Sequence, residues 1–134
     1  LIKGRDDLQD RADALVDVWK RRLGLDPWEI IVKFCNMEDI EAGGEANVAV
    51  SQSLRRGIIK ILWPDEYNRY ETYNDDFPQD IEQTIIHELL HIPIMSFADP
   101  EKGSLEDVAV ENFVEQTAKL LVSLQREDRA GMVR

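Results

Sequence analysis

Only two histidines and one cysteine occur in the 134 residues of this chain. A single thiol, Cys35, can form no internal disulfide and build no multi-cysteine metal site. It falls in an apolar run, "IIVKFC", and reads as a core residue. Basic residues are also scarce. Sixteen Lys and Arg stand against 27 Asp and Glu, a formal net charge of −11. Such a surface repels phosphate backbones and anionic lipid, which argues against nucleic acid and membranes as direct partners. No apolar run is long enough to span a bilayer, and none has the form of a secretory signal. A reducing, cytoplasmic compartment is therefore the expectation. Internal repeats, low-complexity segments and interdomain linkers are absent too. Residues 1–134 read as one domain, and a composition of 43% hydrophobic residues can supply its core.

The elements that are there run helix, three strands, then two helices. Leu8, Ala12, Leu15, Trp19 and Leu23 recur at spacings of three and four, so an amphipathic helix opens the chain and stops at Gly24 and Pro27. "WEIIVKFCN", "ANVAVSQS" and "GIIKILW" are of strand type, the last two joined by a short hairpin link. Residues 65–78 read as a loop. Seven acids and one arginine lie between Asp65 and Glu82, so this edge is strongly anionic. Tyr67, Tyr70 and Tyr73 fall every third residue there; they can wall a substrate site or pack over one end of the core, and packing is the expectation. A helix is expected from about residues 76–78 to Ile92, where Pro93 breaks it. Ser104 with Asp107 resembles a capping box that opens a last helix ending near Gln125. The fold class is α+β, with about three strands in a mainly antiparallel sheet.

Both histidines fall together in "QTIIHELLHIPIMSF", residues 83–97. On a helical wheel His91 lies roughly 40° from His87 and Glu88 roughly 100° away. Gln83, Thr84 and Asp80 fall close to the histidines, while Ile81, Ile85, Leu89 and Ile92 lie on one side of that stripe and Ile86 and Leu90 on the other. The helix should be mostly buried, its histidines facing a cleft. Imidazoles at i and i+4 project from successive turns and can converge on one zinc ion. The intervening glutamate stands to the side, placed to hold a metal-bound water as general base. This is the HExxH arrangement.

A catalytic zinc needs a third protein ligand, and no histidine remains. In "SLEDVAVENFVEQTAKLLVSL" Glu111 sits among Val114, Ala118, Leu121 and Val122 on the wheel, with Asp107 and Glu115 roughly 40° to either side. Carboxylates at i, i+4 and i+8 on a packing face repel one another and are costly to bury, and a dication would offset both penalties. Asp107 also suits a helix start, and Glu115 can pair with Lys119 one turn on.

These residues resemble the gluzincin branch of the zinc metallopeptidases. In thermolysin-like members the glutamate ligand comes twenty residues after the second histidine, the position of Glu111 here, and four residues later an acid bonds the first histidine, the position of Glu115. The resemblance implies Zn²⁺ held by His87, His91 and Glu111, with Glu115 orienting His87. It also implies that Glu88 activates the zinc-bound water for peptide-bond hydrolysis. An edge strand lines the cleft in zincin folds; "EANVAV" looks like that edge, with Asn47, Val48, Ala49 and Val50 offering backbone hydrogen bonds to an extended polypeptide substrate. In size and order the chain looks like the compact HExxH proteins of phages and prophages and the ImmA/IrrE-like peptidases.

The sequence departs from thermolysin-like enzymes in one respect. They place a tyrosine between motif and ligand and a further histidine beyond it, both for the oxyanion. Here Tyr67, Tyr70, Tyr73, Arg55 and Arg56 are the candidates for that role. A second class of function stays open beside the peptidase: a non-catalytic binding module on the same scaffold, with zinc structural or absent.

Overall fold

The first helix, α1 (Ile2–Arg22), turns one apolar stripe inward, and Ala12, Val16 and Trp19 are buried. It ends in a paired return of the backbone. Leu25 N–H donates to the Lys20 carbonyl at 2.8 Å and Gly24 N–H to the Arg21 carbonyl at 3.1 Å, with Gly24 at φ +73°. That left-handed position is why glycine stands there. This computed structural model describes residues 2–41, 44–70 and 76–133. Among them no helix is long and apolar enough to cross a membrane.

Three strands follow: β1 (Glu29–Cys35), β2 (Ala46–Ser51) and β3 (Arg56–Leu62), in the order β1-β3-β2. β2 pairs antiparallel with β3, whereas β1 pairs parallel with it. The sheet is therefore mixed, not mainly antiparallel as expected. The strand order, though not the direction of β1, follows the side chains. β3 carries Ile59, Ile61 and Leu62, all fully buried, and takes the centre; β2, with Asn47 and Ala49 exposed, is left at an edge.

One sheet face is built in rows: Ile30–Gly57–Val50, Val32–Ile59–Val48 and Phe34–Ile61–Ala46. These rows join the core formed with α1 and α3. Between β3 and α3 lies α2 (Pro64–Tyr67), one turn opened by Pro64 where a loop was expected. Tyr67 is buried against Ile40 and Leu62, with Tyr70 and Cys35 packed beside it, so both described tyrosines pack over one end of the core. Tyr73 lies outside the described residues.

The histidine-bearing helix, α3, spans Ile81–Met95. It starts later than expected because Asp80 caps it, accepting the Gln83 N–H at 3.1 Å. Pro93 does not break it. In the last turn the proline ring removes one hydrogen bond only, and Ile92 beside it is fully buried. The last helix, α4 (Leu105–Val133), opens as Ser104 accepts the Asp107 N–H at 3.2 Å while Asp107 accepts the Gly103 N–H at 2.9 Å. It packs on α3 through Val114, Ala118 and Val122. It runs past Gln125 because Arg126 reaches Asp80 at 2.9 Å and Arg129 reaches Glu82 at 3.3 Å.

Glu82 is the pin of this arrangement. It is 8% exposed and accepts the Trp19 indole N–H at 2.9 Å, so one carboxylate links α1, α3 and α4. Removing it strands a buried donor and takes from Arg129 its carboxylate, while Arg126 keeps Asp80. Glu82→Ala should cost about 2–3 kcal/mol in urea denaturation. An unchanged midpoint would contradict the pin.

Candidate metal centre

Burial of Ile85, Ile86, Leu89 and Ile92 fixes the rotation of α3 about its axis, and that rotation aims His87 and His91 at α4. Both imidazoles are mostly buried, and their Nε2 atoms stand 3.3 Å apart. Glu111 straddles them, with Oε2 3.2 Å from His87 Nε2 and Oε1 3.1 Å from His91 Nε2. Two imidazole nitrogens facing each other at this distance cannot both carry a proton. A shared cation resolves the contact, as does a proton donated from one ring to the other.

His87, Glu88 and His91 each bring a donor atom within 4.8 Å of the others and can hold a metal ion. Glu111 approaches both imidazoles still more closely, from the second helix. Its side chain is 47% exposed, so it sits at the rim and not inside the apolar face as the wheel suggested. Near its N-terminal end α4 diverges from the packed core, leaving Val114 as the first fully buried residue of the helix.

Glu88 is the buried acid. It is 5% exposed, and its Oε2 has no hydrogen-bond partner among the described residues. Its carboxyl is pushed up to about 8, first by burial and then by the neighbouring Glu111, Glu45 and Glu115. His91 is pushed down, chiefly by burial, with Glu111 opposing and His87 adding to the effect. A neutral imidazole is the form that ligates.

Glu115 does not orient His87 directly. Its Oε1 lies 3.7 Å from His87 Nδ1, too far for a hydrogen bond, and accepts instead from Gln83 Nε2 at 3.0 Å. Gln83 stands one turn before His87 on the same stripe, which is the signal that places it here. Glu45 is the site residue with least sequence warning. It precedes β2, lines the small cavity beside Glu88, and its carboxyl is raised by burial and then by Glu115.

Two cavities meet at Glu88 and Ala46. One of about 100 Å³ extends toward Gln83 and Glu115, the other of about 340 Å³ toward Met95 and Val110. β2 lies along both. Leu62 N–H donates to the Glu45 carbonyl at 3.0 Å, which sets the phase of the β2–β3 ladder. By the alternation of antiparallel pairing, Asn47 and Ala49 spend their backbone groups on β3, whereas Ala46, Val48 and Val50 turn theirs to the open edge. Of the four residues expected to offer backbone bonds, Val48 and Val50 are the ones free to do so.

Four of the five oxyanion candidates fall within the described residues, and Tyr73 does not. Tyr67 donates to the Phe77 carbonyl and Tyr70 to the Gly44 carbonyl, while Arg56 pairs with Glu29 and Arg55 sits in the β2–β3 turn. The chain matches no protein-family model, no curated protein and no solved structure.

Burial of Glu88 has a pH signature in metal-free protein. With its folded pKa raised from 4.5 to about 8, its contribution is present in full below the unfolded value and is lost as pH rises through the folded one. Glu88→Gln removes that loss. Between about pH 4 and about pH 8 the stability difference should move in the variant's favour by on the order of 1–3 kcal/mol. Parallel stability curves would contradict a buried, unpaired carboxyl.

Proposed function

We propose that the chain is a zinc-dependent peptide-bond hydrolase. The observation that carries this reading is the meeting of two imidazoles and the Glu111 carboxylate beside the buried, unpaired Glu88. The donor set suits zinc. Ligands about 2.0–2.1 Å from a tetrahedral ion stand roughly 3.3–3.4 Å apart, close to the 3.1–3.3 Å separations here. Two neutral imidazoles and one carboxylate leave a fourth position for solvent or substrate.

Zinc, when bound, supplies a Lewis acid that acidifies water and polarises a carbonyl. His87, His91 and Glu111 would hold it, and Glu115, tied to Gln83, contributes negative charge behind His87. Glu88 acts on the proton. A nearby dication favours its ionised form, and the carboxylate then accepts a proton from water attacking the scissile carbonyl. It returns that proton to the amide nitrogen as the carbon–nitrogen bond breaks, yielding a carboxylate and an amine. The open edge of β2 aligns an extended polypeptide across the cavities, through the backbone groups of Val48 and Val50.

A second reading is a metal-holding binding module without catalysis. It is favoured by the engagement of the Tyr67 and Tyr70 hydroxyls with backbone carbonyls and of Arg56 with Glu29, which commits those donors to other partners.

Metal analysis of protein purified without chelator should find about one zinc per chain, and its removal should lower the melting temperature because the ion ties α3 to α4. Glu111→Ala should weaken zinc binding at least tenfold more than Glu115→Ala; the reverse order would exchange their roles. Glu88→Gln should retain zinc and lose peptide cleavage by roughly two or more orders of magnitude. Zinc-loaded wild type that cleaves no member of a broad peptide library would favour the binding module.

A further inference from the structure

The larger cavity beside His91, about 340 Å³, has a divided chemistry. Val48 of β2, Ile94 of α3 and Val110 of α4 give it apolar walls, and it is bordered by the carboxylates of Glu41, Asp99 and Asp107. Two of those three are engaged. Glu41 holds Lys102, the one lysine or arginine lining the cavity, in an ion pair, and Asp107 accepts the Gly103 N–H. Asp99 is exposed and makes no hydrogen bond or ion pair among the described residues. Glu88, 5% exposed and with an unpartnered Oε2, is among the residues lining the same cavity. The C-terminal end of α3 at Ile94 and Met95 adds partial negative charge, and the opposing N-terminal end of α4 is offset by Ser104 and Asp107.

An anionic side chain entering here meets a net negative rim whose single lysine is already paired with Glu41. A neutral apolar one fills the walls and makes nothing of Asp99. A long cationic one lays its methylene stem along the walls and brings its head to the free carboxylate. We propose that this cavity is a subsite for a lysine or arginine side chain of the substrate, with Asp99 as the residue that determines the preference. The proposal rests on the peptidase reading and adds the class of substrate residue.

The test uses zinc-loaded Glu88→Gln protein, so that binding is read without turnover. Fluorescent peptides of one sequence carry lysine, norleucine or N-acetyl-lysine at each position in turn, and affinity is read by anisotropy at low ionic strength. At one position lysine should bind at least about fivefold tighter than either neutral analogue, the scale of one partly exposed ion pair. Adding Asp99→Asn should reduce that ratio to below about twofold, and Asp99→Lys should turn the preference toward glutamate. Equal affinities at every position, or no binding by any peptide, overturn the proposal, as does a lysine preference that survives Asp99→Asn. Cleavage of the same peptides by wild type is read separately. Cleavage indifferent to lysine, with equal affinities, removes the subsite and leaves hydrolysis standing; a lysine preference in binding without cleavage keeps the subsite and removes hydrolysis.

Discussion

Two imidazoles one helical turn apart and a carboxylate from the next helix meet within 3.1–3.3 Å, and the rest of the molecule holds α3 and α4 so that they can. That contact is poor on its own terms. It sets histidine nitrogens against each other and gathers Glu45, Glu88, Glu111 and Glu115 in a chain whose net charge is already −11. A dication at the centre would convert each of these repulsions into an attraction. The buried Oε2 of Glu88 has no hydrogen-bond partner among the described residues, and a carboxyl so placed stays neutral unless a nearby cation favours its ionised form.

The scaffold does its work by packing and by one charged pin. Ile85, Ile86, Leu89 and Ile92 set the rotation of α3, and Val114, Ala118 and Val122 set the height of α4 upon it. Glu82 ties Trp19, Arg126 and Arg129 to the far end of the same helix pair. The sheet contributes an edge. Because apolar β3 takes the centre, β2 is left with an unpaired side, and that side runs along both cavities beside Glu88.

The histidine stripe was legible because a helix repeats every 3.6 residues, so two imidazoles four apart share a face whatever the surrounding fold. The core face of α3 was legible for the same reason. Glu111 was found through a spacing shared with a known family; its wheel position alone gave a buried carboxylate, and it proves half-exposed. Features that depend on chain crossings were not legible. The parallel β1–β3 pairing places β3 between two strands, an order that alternation along each strand does not encode. The same holds for Glu82, whose partners lie 63 and 47 residues away. Glu115 bonds Gln83 rather than His87 because a difference of a few tenths of an ångström decides a hydrogen bond, and wheel angles do not resolve that.

X-ray absorption at the zinc edge of protein loaded with one equivalent of zinc bears most directly on the central claim. The account predicts a shell of nitrogen and oxygen only, about four-coordinate, with outer-shell scattering from two imidazoles. A sulfur shell, which in this chain means Cys35 or a methionine, or an oxygen-only six-coordinate shell, would contradict it.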